Sequence, residues 1–311
     1  MASLKSPAPV AGASPGEGFE GRFFRSQDGL KLHYRDYGPC VGPRLPVVCL
    51  PGLSRNGADF HELALALAGH RTRPRRILAL DSRGRGRSDR DPNWRNYDLR
   101  VELGDVLALL PAAGVAEAVF VGTSRGGILT MLIGAARAAA LRGAVINDIG
   151  PVIEGAGLAR IKGYVGKLPT PRTMEEAIDI LKTVSGGQFS AVGEADWRRF
   201  AERTFRMTPK GIEPDYDPAL SKGLDALDFE RPLPTLWPQF ESLRHAPVLS
   251  IRGENSDIFA ATTQAEMAKR HPGCQTLTVP GQGHAPLLAD GPSIEAIQRM
   301  CEDADRAVSH H

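Results

Sequence analysis

The chain has 311 residues, 42% of them hydrophobic, which is enough for one large core or for a core with a lid. Its 38 Lys and Arg against 36 Asp and Glu leave a formal net charge of +2, so the charge balance gives no reason to expect a nucleic-acid partner. Cys40, Cys49, Cys274 and Cys301 are scattered, with neither metal-ligand spacing nor a dense disulfide framework, and no stretch approaches the length of a membrane span.

Residues 1–20, rich in Ala, Pro, Gly and Ser, read as a disordered tail without an apolar run long enough for a signal peptide. The expectation is a soluble, cytoplasmic protein. "GRFFRSQ" and "LKLHYRDYG" read as two strands joined by a "DG" turn. "LPVVCL" is a short unbroken apolar run, as in a strand buried on both faces, with Cys49 as a small core residue. "FHELALALAG" has helical period. The basic run "HRTRPRRILAL" reads as a solvated edge leading into the next strand, and the glycine-rich "SRGRGRSDRD" follows. "LRVELGDVLALLPAAG" is a helix stopped at Gly114, "AEAVFVG" a strand, "RGGILTMLIGAARAAA" a helix and "RGAVINDIGP" a strand. This alternation predicts an α/β fold, a mostly parallel sheet with helices on both faces.

The alternation breaks at Pro151. Over 152–245 helical segments follow one another with no clear strand between them. In "TMEEAIDILKTV", Thr173 with Glu176 three residues on has the form of a capping box. After His245 the alternation returns in "APVLSIRG", "ATTQAEMAKRH", "CQTLTVPG" and "SIEAIQRMCEDA". We therefore expect an α/β core of residues 21–151 and 246–307, with 152–245 inserted as a helical cap over the ligand-binding edge.

Chemistry concentrates at the carboxyl ends of the strands, where open parallel sheets gather ligands. In "FVGTSRGGIL" a strand turns into a helix at Ser124, flanked by Gly122 and Gly126. A turn that sharp strains the backbone of the central residue and tolerates no side chain beside it, which is the logic of a G-x-S-x-G elbow. A serine hydroxyl becomes a good nucleophile only when a base takes its proton. Of the histidines, His33 lies in an expected edge strand and His61 in a helix, while His70, His245 and His271 sit at element ends, all suited to solvated or capping roles. His284, in "VPGQGHAPLL" beyond the last strand, can swing over the sheet edge and is the candidate base. The base needs a carboxylate to fix its tautomer. Asp257 in "RGENSDIF" is the expected acid; Glu254 in the same loop and Asp148 in "INDIGP" also lie at that rim. The backbone N–H groups of Arg125 and Leu53 are the candidate oxyanion donors. No cofactor and no metal are expected.

The segments "LPGLSRN", "ALDSRGRGRSD", "VGTSRGG" and the pair "RGENSDIF"/"GQGHAPLL", in this order, resemble the α/β-hydrolase family over nearly the whole chain beyond the tail. The likeness is to bacterial hydrolases grouped with lactonases and carboxylesterases. It implies a Ser-His-Asp serine hydrolase with a cap that forms the substrate pocket, and an architectural "SRGRGRSD" in which Asp81 and Arg83 brace loops. Arg125 stands where a small or apolar residue is commoner in the family; its side chain is expected to brace the neighbouring loop rather than to bias the pocket toward a carboxylate. The expected reaction is hydrolysis of a small to medium, partly hydrophobic carboxylic ester or lactone through an acyl-enzyme. Hydrolysis of a carbon–carbon bond in a diketone-type substrate is the alternative, with a cofactor-free dioxygenase or a ligand receptor behind it. The expected partner is a small molecule, with no membrane span, and homo-oligomerisation is left open.

Overall fold

The computed structural model describes residues 18–39, 42–209, 211–226 and 233–309. The expected tail therefore falls almost wholly outside the described residues, as do Cys40 and the cap residue Phe229. In chain order the elements are β1 (Phe19–Arg25), β2 (Lys31–Tyr37), β3 (Val47–Leu50), α1 (His61–Ala68), β4 (Ile77–Leu80), α2 (Leu99–Ala112), β5 (Ala118–Thr123), α3 (Arg125–Ala136) and β6 (Leu141–Asn147). After these come α4 (Gly155–Tyr164), α5 (Met174–Ser185), α6 (Glu194–Thr204), β7 (Phe205–Thr208), β8 (Gly211–Pro214), α7 (Ser221–Asp225) and α8 (Trp237–Glu241). The chain closes with β9 (Val248–Gly253), α9 (Ala261–Arg270), β10 (Cys274–Val279) and α10 (Gly291–Ser309).

Eight strands form one sheet in the order β1-β2-β4-β3-β5-β6-β9-β10. The pairs β1·β2 and β2·β4 are antiparallel, and every later pair is parallel. Strand side chains alternate between two cores. Val48, Leu50, Leu78, Leu80 and Phe120 face the helices α2 and α3, whereas Val47, Cys49, Ile77, Ala79 and Val121 face α1 and α10. Burial on both faces is why β3 and β4 read as unbroken apolar runs.

Two expectations for polar residues are corrected here. His33 is not on an edge: β2 runs between β1 and β4, so the ring is fully buried and its Nδ1 pairs with Asp81 at 2.7 Å. The basic run also ends inside, with Arg75 on Asp305 at 3.0 Å and Arg76 bidentate on Asp36 at 2.9 and 2.7 Å. Asp81 and Arg83 do brace loops. Asp81 accepts the N–H groups of Gly57 and Arg87, and Arg83 pairs with Asp105, Asp91 and Asp28.

The region inserted between β6 and β9 is mainly helical, with its own small core of Ala177, Ile178, Leu181, Phe189, Trp197 and Phe205. It also contains an antiparallel hairpin, β7·β8, where no strand was expected. Phe240 on α8 is fully buried in the larger core with Leu243, not in the insert's own core. At the start of α5 the capping box is half made. Thr173 Oγ1 accepts the Glu176 N–H at 3.2 Å, but the Glu176 carboxylate accepts the Arg172 N–H at 2.8 Å instead of reaching back to Thr173. No described helix is long and apolar enough to cross a membrane.

Candidate active site

Ser124 caps α3 at the end of β5 with φ 52° and ψ −115°, the left-handed side of backbone space that a non-glycine residue seldom enters. Three fixed contacts hold it there: its N–H donates to Asn147 O at 2.8 Å, and its carbonyl accepts from Gly127 at 2.8 Å and Ile128 at 3.1 Å. The glycines are sterically required. A Cβ on Gly122 would lie 2.2 Å from Gly126 O, and one on Gly126 would lie 2.0 Å from Leu50 O. The first helical turn thus sits directly against β3 and β5, which tips Ser124 above the sheet.

His284 lies in the loop between β10 and α10. Asn147 Nδ2 donates to Pro286 O at 2.9 Å, and Gln282 Oε1 accepts the Leu287 N–H at 2.9 Å, so the loop is tied back to β6 and to itself. The structure brings these two residues together: the imidazole Nε2 stands 2.8 Å from Ser124 Oγ. Its Nδ1 stands 2.8 Å from a carboxylate oxygen of Asp148. The carboxylate accepts, so Nδ1 carries the proton and Nε2 is left to accept from the hydroxyl.

The expectation for the acid is corrected by this geometry. Asp257 is turned to the cap, where Arg160 of α4 grips its carboxylate at 2.6 and 2.9 Å. Burial would raise its pKa, but the Arg160 and Gln188 side chains outweigh burial and hold the carboxyl below the usual range. Glu254 accepts the Gly281 N–H at 2.8 Å. Asp148, just past β6, is fully buried, with φ 56°. Its Oδ1 accepts the Gly253 N–H at 2.7 Å, and its Oδ2 accepts from Ser256 Oγ at 2.7 Å as well as from His284. The loop expected to provide the acid instead provides donors to Asp148. Within the sequence, the signal for Asp148 was an acid closing a strand next to the break in alternation.

Leu53 lines the cavity above Ser124. Among the described residues, neither its N–H nor that of Arg125 donates to a protein acceptor. The Arg125 side chain braces as expected, donating to Glu102 at 2.7 Å and to Tyr97 O at 3.0 Å. Glu102 is buried, yet Arg125 and Arg85 outweigh that burial and hold its pKa at about 2. The cavity measures about 110 Å³. Leu53, Phe60, Ile161, Tyr164, Phe200 and Leu287 form much of its wall, and Arg55, Arg199, Arg203, Asp59, Glu62 and Asp196 bring three charges of each sign. Of the described cap aromatics, Tyr164 and Phe200 reach it. Arg55 stacks on Phe200 with its guanidinium carbon 4.0 Å from the ring centre while its Nε holds Asp59 at 2.7 Å.

A family model described as "Alpha/beta hydrolase family" matches residues 47–294. A solved alpha/beta hydrolase from Novosphingobium aromaticivorans is 41% identical, with a TM-score of 0.83, over 92% of this chain and 99% of that one. A 3-hydroxybutyrate-oligomer hydrolase from Cupriavidus necator is 31% identical over 85% of this chain and 90% of its own length. A 2-(acetamidomethylene)succinate hydrolase from Mesorhizobium japonicum is 25% identical over 82% of this chain and 85% of its own. With its sheet order, its inserted helical region and these matches, the chain belongs to the α/β hydrolase family and is a hydrolase of that fold.

Proposed function

We propose that the protein is a serine hydrolase that cleaves a small to medium, partly hydrophobic carboxylic ester or lactone through an acyl-enzyme. The observation that carries this reading is the unbroken line of 2.8 Å contacts from Asp148 through His284 to Ser124. In this mechanism His284 Nε2 takes the hydroxyl proton as Ser124 Oγ attacks the carbonyl carbon. Asp148 keeps Nδ1 protonated and stabilises the imidazolium that forms. The N–H groups of Arg125 and Leu53 receive the negative charge on the former carbonyl oxygen, each contributing about 3 kcal/mol at the transition state. The imidazolium then protonates the departing alcohol. A water activated by the same ring releases the acid and restores Ser124.

The substrate class rests on the cavity. Its apolar walls, with Leu53, Phe60, Ile161 and Phe200 among them, suit a short to medium carbon chain. The C. necator relative, named for hydrolysis of 3-hydroxybutyrate oligomers, points the same way, because such oligomers are esters of a four-carbon acid. Kinetics on a graded series of p-nitrophenyl esters test the proposal. Turnover should peak at short to medium acyl chains, and Ser124→Ala should lower kcat at least about 10⁴-fold. Undiminished turnover in the alanine variant would overturn the mechanism, and a flat chain-length profile would overturn the enclosed pocket.

A further inference from the structure

Among the cap residues that meet the loop carrying His284 is one that the mechanism does not use, Gln188. Between α5 and α6, Gln188 lies against the loop that carries His284. Its backbone carbonyl accepts from Asn255 Nδ2 at 3.0 Å. Its side-chain Oε1 accepts the His284 backbone N–H at 3.4 Å, and its side chain lies near enough to the Asp257 carboxylate to help lower that group's pKa. Arg160 of α4 grips that carboxylate at 2.6 and 2.9 Å. Three residues beyond Gln188, the Ala191 N–H donates to Gly281 O at 3.1 Å.

The packing here has no slack. A Cβ on Gly283 would fall 2.4 Å from Gln188 Cβ, and one on Gly253 would fall 2.4 Å from Gly283 O. The peptide before His284 is therefore clasped between the end of β9 and Gln188. The amide oxygen accepts an N–H, and the same side chain neighbours a carboxylate. A carboxylate side chain would repel Asp257, and an apolar one would serve neither neighbour. Gln188 is not among the residues lining the cavity, so its influence on the reaction runs through the loop.

We infer that Gln188 is a positioning residue: its amide, oriented by the Asp257–Arg160 pair, holds the His284 backbone, so the seating of the cap and the alignment of the imidazole are coupled. This rests on the serine-hydrolase reading above. The decisive measurement compares wild type, Gln188→Met, Asp257→Asn and the double variant on a short p-nitrophenyl ester, together with their rates of labelling by a fluorophosphonate probe. Gln188→Met should lower kcat by about 10- to 100-fold, because a small misplacement of the base is costly, while KM stays within about twofold. The labelling rate should fall in proportion, and the double variant should be no slower than the slower single one. A kcat within about twofold of wild type, or losses that multiply in the double variant, would overturn the inference. If Gln188→Met does not fold, Gln188→Glu decides: its activity relative to wild type should rise as pH falls toward 5 and the new carboxyl gains a proton, and a flat ratio is the contrary result. Equal labelling of Gln188→Met and wild type sinks this inference alone. No labelling of any form sinks the serine reading and this inference with it.

Discussion

Asp148 shows how a residue's neighbours, more than its type, assign its chemistry. Three acids stand at the same rim, and each has a different claimant. Arg160 takes Asp257 across 97 positions of sequence, the Gly281 N–H takes Glu254, and His284 takes Asp148 across 136. Ser124 was legible because its elbow is local: a strand, glycines two places to either side and a helix all lie within a dozen residues. His284 was legible because a glycine-rich loop after the last strand opens at the same edge. The choice of acid was not, since it depends on a cap arginine whose reach no local pattern records. On short-ester turnover, Asp148→Asn should cost about 10⁴ in kcat, since the amide can present N–H to Nδ1 and favour the wrong tautomer. Asp257→Asn should cost only about tenfold. The reverse order would return Asp257 to the base.

Among the elements, those of the core were readable because each obeys one rule over its whole length. The inner parallel strands β3 and β4 are apolar on both faces, and glycine closes helices such as α2, where Gly114 has φ +68°. The hairpin β7·β8 escaped notice for the opposite reason. Its strands are four residues each, and Phe205 continues the apolar stripe of α6, with Trp197, Ala201 and Phe205 all in the cap's own core. The half-made capping box is a smaller instance: Arg172 competes for the carboxylate of Glu176 and wins it, with Nη2 at 2.8 Å. The elbow permits a sharper test. In Gly126→Ala the new methyl would sit 2.0 Å from Leu50 O, a backbone atom that cannot swing aside. Urea denaturation should show a loss of about 3 kcal/mol or more, or no folded protein at all; a loss under about 1 kcal/mol would mean that α3 can slide.

Across the molecule, cap and core meet along a charged seam. Arg203 of α6 pairs with Glu62 at 2.5 Å, Arg160 with Asp257 at 2.6 Å, and Asn56 Nδ2 donates to Asp215 at 3.0 Å. Burial and the nearby charge of Asp81 push the Asp215 pKa up to about 6, against partial relief from Arg206, Arg35 and Arg55. A raised acid pKa means that the folded state holds its proton longer than the unfolded one. The stability from this group is thus present below pH 4 and lost as pH rises through 6. Asp215→Asn should therefore melt above wild type at pH 7.5, by no more than about 2 kcal/mol, with the margin closing as pH falls to 4. Thermal scans across that range read the effect, and a constant margin would discount the ionisation. The location of the insert has a consequence for descent. Ser124 and Asp148 precede it and His284 follows it, so one contiguous block adds Ile161, Tyr164 and Phe200 to the cavity wall while the linked residues Asp148, His284 and Ser124 all lie outside it. Lineages could exchange that block wholesale and inherit the reaction intact, provided each newcomer brought its own amide to the clasp.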